Sequence, residues 1–133
     1  MILKKKKMSQ NIVLTTGIYD LIKEHIRRKK ATAAEEEVLK EQLKNATQVP
    51  RKDLPSDVVS VDTVVTVKNL ATNEEEVYKF VAPAKAKARN QTLSIVDQMG
   101  LALVGYTVGA KIEWPLEGEE FKKMEILKVE SLN

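Results

Sequence analysis

The residues Val58-Val59-Ser60-Val61-Asp62-Thr63-Val64-Val65-Thr66-Val67-Lys68 alternate with period 2. Val59, Val61, Thr63, Val65 and Val67 share one face; Ser60, Asp62, Thr66 and Lys68 share the other, with Val64 the exception. β-Branched residues in this pattern describe a half-buried strand. Upstream the period is that of a helix. Ile18, Leu21, Ile22 and Ile26 make an apolar stripe over residues 15–30, with His25 beside it. Thr15 or Thr16 can cap the start, and Arg27, Arg28, Lys29 and Lys30 suit the negative pole at the end. Thr32-Ala33-Ala34-Glu35 is a capping box for a second helix. Glu35, Glu36 and Glu37 load its first turn, and Val38, Leu39, Leu43 and Ala46 carry the stripe to about residue 47. These two helices predict a short antiparallel helical hairpin, a minimal coiled coil about 21 Å long.

Between the two periods lies Val49-Pro50-Arg51-Lys52-Asp53-Leu54-Pro55-Ser56-Asp57. Neither proline can continue a helix, so a stiff hinge is expected there. Downstream, Ala71-Thr72-Asn73-Glu74 reads as a turn and residues 75–81 as the partner strand, with Tyr78 and Phe80 on one face. Residues 92–96 read as a third strand. Asp97 caps a short helix over 99–104, which Gly105 closes. Residues 111–116 and 121–129, joined by Glu117-Gly118-Glu119, give a fourth and a fifth strand. The expected fold class is α+β: the hairpin, then a mostly antiparallel sheet with one small helix. The expected organisation is a disordered basic leader at 1–11, the helical hairpin at 12–49, the proline-containing hinge at 50–57 and the sheet domain at 58–133.

Composition narrows the chemistry. The 133 residues include no cysteine and one histidine. Disulfides, thiol nucleophiles, thiolate or multi-histidine metal sites and a Ser-His-Asp triad are thereby set aside. No apolar run approaches the roughly 18 residues of a membrane span. The leader lacks an apolar h-region, so a cytoplasmic protein without a membrane partner is expected. The net charge is +3, from 22 Lys+Arg and 19 Asp+Glu. Lys4, Lys5, Lys6 and Lys7 supply four of the cations; without them 18 face 19, and the body is nearly neutral. Nucleic-acid contact, through the leader and residues 27–30, is expected to be weak.

The motifs carry little catalysis. Gly100 and Gly105 have the spacing of a phosphate loop, but Tyr106 follows where that motif needs lysine. Glu35, Glu36 and Glu37 fan over about 200° of helix and do not converge on one ion. His25 has no convergent polar partner nearby in the chain and reads as a seam residue. Tyr78, Phe80, Tyr106, Trp114 and Phe121 read as the core of the sheet domain. No catalytic residue, cofactor, metal ion or small-molecule substrate is expected, and binding is favoured over catalysis.

Residues 57–130 resemble the C-terminal domain of the GreA/GreB transcription elongation factors. The likeness runs through Val58 to Leu70, the acidic turn Asn73-Glu74-Glu75-Glu76, and Tyr78-Lys79-Phe80-Val81. It continues through Leu93-Ser94-Ile95-Val96, Asp97-Gln98-Met99-Gly100, Leu101-Ala102-Leu103-Val104-Gly105 and Val108-Gly109-Ala110. Ile112-Glu113-Trp114-Pro115-Leu116 and Ile126-Leu127-Lys128-Val129 complete it. Asp97-Gln98 replaces the family's Ser-Pro pair, and Ala110 its turn aspartate. The resemblance implies an FKBP-like domain without isomerase activity. The implied partner is bacterial RNA polymerase, at the rim of its secondary channel, with Asp97, Gln98, Met99 and Gly100 in the docking surface.

The family's cleavage factors carry an acidic Leu-Ser-Glu-Asn-Ala-Glu-Tyr tip that helps to hold a second Mg²⁺. Here the tip is Arg27, Arg28, Lys29 and Lys30, followed by Glu35 and Glu36. The chain is more similar to the short-hairpin branch typified by the regulator of nucleoside diphosphate kinase, whose Pro-x-x-Val-Val lead-in is matched by Pro55-Ser56-Asp57-Val58-Val59. A non-catalytic, polymerase-binding transcription regulator that competes with Gre-type cleavage factors is thus implied. The alternatives are a genuine cleavage-stimulating factor using Glu35, Glu36 or Glu37, and a nucleic-acid-binding protein using the basic leader.

Overall fold

The computed structural model of the protein describes residues 12–115 and 120–132. The basic leader and the turn at 117–119 lie outside the described residues. In chain order the elements are β1 (Ile12–Thr15), α1 (Thr16–Arg27), α2 (Ala33–Asn45), β2 (Ala46–Val49), β3 (Thr63–Asn69), β4 (Glu75–Val81), β5 (Thr92–Ser94), α3 (Gln98–Leu103), β6 (Lys111–Pro115) and β7 (Phe121–Ser131). Five strands form one sheet in the order β5-β4-β3-β7-β6. Within this sheet, among the described residues, the β4/β5 pair alone is parallel.

β3 occupies the middle of the sheet because Thr63, Val65 and Val67 put a continuous apolar row on its inner face. Val64 lies on the opposite face, half-buried. The strand begins at Thr63 rather than at Val59 because Asp62 sits in the left-handed region at φ 61°, which interrupts an extended chain. The Thr63 hydroxyl donates to the Ser60 carbonyl at 2.7 Å and braces the bend. Val58 and Val59 remain buried but serve another neighbour. Val59 N–H donates to Tyr106 O at 3.0 Å, and Gly105 N–H donates to Val59 O at 2.9 Å. The first part of the alternating stretch thus clasps the loop after α3.

The helices start where their side chains allow. Thr15 Oγ1 accepts from Ile18 N–H at 3.3 Å. Thr32 and Glu35 form both halves of the capping box, at 3.1 Å each. α1 ends with Lys29 at φ 56°; Lys29 N–H donates to Ile26 O and Lys30 N–H to His25 O. That is the Schellman pattern, with lysine where glycine is usual.

The sequence places residues 12–49 in the helical hairpin and runs the second helix to about residue 47; no strand is expected there. Instead Ala46–Val49 pairs in parallel with Ile12–Thr15, in register from Ile12↔Ala46 to Thr15↔Val49. α1 leaves one end of this pair and α2 returns at the other. Three steps of about 3.3 Å set the two attachment points about 10 Å apart, close to the spacing of packed helices.

Ile12, Leu14, Ile18, Ile22 and Leu39 are buried in the same core as Val59, Val65, Phe80, Trp114 and Ile126. Each buried aliphatic side chain contributes about 1.5–3 kcal/mol. Against them stand, among the described residues, two buried polar atoms with no partner, Gln42 Oε1 and Trp114 Nε1, at about 1–3 kcal/mol each. Five aliphatic anchors outweigh two orphans, so the helices stay on the sheet. Val13 N–H adds a hydrogen bond to Gly105 O at 3.1 Å.

One aromatic is misplaced by the sequence reading. Phe80 and Trp114 are buried, and Tyr78 stacks on Phe80 at 5.9 Å, but Phe121 is 52% exposed. Alternation along β7 turns Met124 and Ile126 inward, which sends Phe121 to the outer face.

Gly105 decides how closely the helical part approaches. At φ 91°, a Cβ there would lie 2.9 Å from Ile12 Cβ and from Leu14 Cδ2. Gly105→Ala is expected to cost about 2–4 kcal/mol, combining left-handed strain and overpacking. Gly17→Ala, which meets open space in α1, should instead stabilise by about 0.5–1 kcal/mol. Urea denaturation of both variants checks the contrast; equal effects would contradict the packing described.

Candidate functional site

The turn between α1 and α2 and the N-terminus of α3 meet at one place. Glu35 makes the junction. Its Oε1 accepts from Thr32 N–H at 3.1 Å, inside the capping box. Its Oε2 accepts from Gln98 Nε2 at 3.0 Å. Two groups of residues singled out separately in the sequence, Glu35 on the helical tip and Gln98 on the α3 loop, are thereby brought into contact.

Around this junction the charges are sorted. Arg27 Nε and Arg28 Nε both donate to Glu24, at 3.0 and 2.7 Å. These two hydrogen bonds hold the Glu24 carboxyl down to about 2. Glu36 is shared by Lys29 at 3.5 Å and Lys40 at 3.7 Å. Lys30 is exposed, and Glu37 is exposed on the next helix position. Among the described residues, no group of three His, Asp or Glu side chains is arranged to hold a metal ion.

Asp97, Gln98, Met99 and Gly100, the N-cap and first turn of α3, play different parts. Asp97 is exposed and caps α3, its Oδ1 accepting from Gln98 N–H at 2.9 Å. Gln98 is exposed and reaches Glu35. Met99 packs half-buried on the core. Gly100 is buried, and a Cβ there would lie 2.3 Å from the Ile95 carbonyl oxygen. Gly100 therefore lets α3 pack closely against the Ile95 backbone, while Asp97 and Gln98 present their side chains to solvent.

A second contact ties α2 to the segment after α3, about two helical turns from Glu35. Gln42 Nε2 donates to the Tyr106 hydroxyl at 3.3 Å. Gln42 follows Leu39 by three positions, so helical spacing places it on the buried stripe. A polar residue on that stripe was the available signal. His25, half-buried at the end of α1, has its pKa lowered, first by burial and then by Lys30, with Glu35 opposing.

Residues 54–131 match the family model described as transcription elongation factor, GreA/GreB, C-terminal. The chain belongs to the GreA/GreB family. It is 34% identical over 94 residues to the regulator of nucleoside diphosphate kinase of Escherichia coli K12, covering 71% of this chain and 69% of that protein. It is also 34% identical over 131 residues to the transcription elongation factor GreA of Clostridium beijerinckii, covering 95% of this chain and 81% of that one. Among solved structures, the GreA/GreB elongation factor from Nitrosomonas europaea superposes with a TM-score of 0.62 at 23% identity, covering 91% of this chain and 98% of that chain. No helix among the described residues is long and apolar enough to cross a membrane.

As the chain has one histidine, one imidazole reports on the junction. Its folded pKa lies below the ordinary 6.5. The stability it contributes is therefore complete above 6.5 and falls as pH drops through 6.5 towards the folded value. An NMR titration of the imidazole should give a midpoint below 6.5, raised by Lys30→Ala and lowered further by Glu35→Gln. A midpoint at or above 6.5 would contradict the burial and charge arrangement around His25.

Proposed function

We propose that this Gre-family protein docks on bacterial RNA polymerase at the rim of the secondary channel and competes there with Gre-type cleavage factors, without catalysing or stimulating cleavage itself. In this reading the sheet is an FKBP-like docking domain and α1–α2 a short hairpin. Helices of 12 and 13 residues span about 18–20 Å, enough for a channel mouth. The partner places the protein in the cytoplasm.

The observation that carries the reading is the engagement of the tip acids. Glu35 gives its oxygens to the capping box and to Gln98, and Glu36 is held between two lysines. Carboxylates held in this way are not gathered to share a metal ion with a reacting phosphate. Inhibition then follows from occupancy: a bound regulator excludes its rival in proportion to its concentration over its dissociation constant.

The 34% identity to GreA of Clostridium beijerinckii across 131 residues favours a second reading, a cleavage-stimulating factor using Glu35, Glu36 or Glu37. Stalled elongation complexes separate the two. The purified protein is expected to bind core polymerase and suppress transcript cleavage by an added cleavage factor. Cleavage stimulated by the protein alone, and lost when Glu35, Glu36 and Glu37 are all replaced by alanine, would establish the second reading instead.

A further inference from the structure

We infer that the connection between β4 and β5 is a contact for the phosphate backbone of duplex DNA, made by Lys85, Lys87 and Arg89. This goes beyond the docking reading above and does not depend on it.

The connection is a crossover without an α-helix. β4 and β5 are parallel neighbours, with Lys79 opposite Thr92 and Val81 opposite Ser94. Strands so arranged are usually joined by a helix. Here residues 82–91 cross over in two short 3-10 turns, Pro83–Lys85 and Ala88–Asn90. Hydrogen bonds fix the shape of the segment. Lys87 N–H donates to Thr92 Oγ1 at 2.9 Å, and Asn90 N–H and Thr92 N–H donate to Lys87 O at 3.0 and 3.3 Å. Gln91, at φ 58°, turns the chain into β5. The cations are thus carried on an ordered segment at the edge of the five-stranded sheet.

The charge of the segment has one sign. Lys79, Lys85, Lys87 and Arg89 lie between Glu76 and Asp97, with no Asp or Glu among them. Lys85, Lys87 and Arg89 are exposed, and the residues between them are alanines. Among the described residues none of the three forms an ion pair, whereas Arg27, Arg28 and Lys29 at the helical tip each pair with a carboxylate. Acids flank the segment along the chain and through the strand register. Glu76 accepts from the Tyr78 hydroxyl and from Lys122, Asp62 pairs with Arg51, and Glu130 pairs with Lys128. Asp97 is exposed beyond the far end of β5, where it caps α3.

These features select the partner. A protein interface is built around desolvated aromatic or aliphatic anchors. The exposed large hydrophobic residues among those described, Val77, Val108 and Phe121, are not on the crossover. Single strands are held by bases stacked on aromatic side chains. The aromatics of β4, Tyr78 and Phe80, stack on each other, and Phe80 is buried. What the crossover offers is unpaired positive charge on a fixed backbone, the chemistry of phosphate contact without sequence readout.

The test is the binding of the full chain to a fluorescently labelled duplex of mixed sequence over a range of salt concentrations. Each phosphate contact contributes about 0.9 to the slope of log K against log salt. Lys85→Ala/Lys87→Ala/Arg89→Ala, with folding checked by circular dichroism, is expected to make the slope shallower by about 2.7 and to weaken binding at least about tenfold. Lys85→Arg/Lys87→Arg/Arg89→Lys, which keeps the charges, is expected to leave the slope unchanged. The same contrast is expected when Lys4, Lys5, Lys6 and Lys7 of the leader are replaced by alanine throughout. An equal slope with and without the three cations overturns the proposal, as does a charge-keeping variant that loses as much as the alanine variant. A single-stranded oligonucleotide or polyglutamate that binds more tightly than the duplex, with the same dependence on the three cations, would assign the crossover to unpaired strands or to acidic protein instead. An unmodified chain that does not bind the duplex at all also overturns it.

Discussion

The seating of β1 against the loop after α3 is the constraint on which the rest of the molecule depends. Ile12 and Leu14 press on Gly105 so closely that a methyl group there would overlap both. Val13 adds a backbone hydrogen bond to the same glycine. Because β2 pairs with β1, and α1 and α2 hang from the two strands, this one approach sets where the whole helical part sits. It also explains why Val58 and Val59 leave the sheet: they clasp the opposite side of the same loop.

From that seat the chemistry of the tip follows. α2 lies near β6 and α3, so its first turn falls beside the first turn of α3, and Glu35 can serve its own helix and Gln98 together. The same carboxylate therefore belongs to local folding and to long-range orientation. Glu36 and Glu24 are occupied by neighbouring cations. The acidic run is thus largely spent on holding the structure in shape, which is what separates a binding reading from one in which the tip delivers acids to a metal.

Features encoded within a few residues were legible in the sequence. The caps at Thr32 and Asp97, a cap at Thr15 or Thr16 and the inward row Thr63, Val65 and Val67 are legible without coordinates, as each depends on neighbours one to four positions away. Features that depend on distant residues were not. β1 and β2 are four residues each and pair across 34 positions, too short for periodicity to register. The left-handed turn at Asp62 carries no glycine to announce it. Phe121 was assigned to the core on hydrophobicity alone, whereas strand register decided its face. The Glu35–Gln98 bond spans 63 positions; each residue was singled out, but their meeting was invisible.

The parallel footing of the two helices has an architectural consequence. Both rods stand on strands whose offset, about 10 Å by strand rise, is close to the general spacing of packed helices. Matched insertions of whole turns in the two rods, placed beyond Leu39, would leave that footing and the pleated layer beneath it undisturbed. The length of the rods is therefore set not at their base but at their far end, where the Glu35–Gln98 hydrogen bond fits only rods of this length.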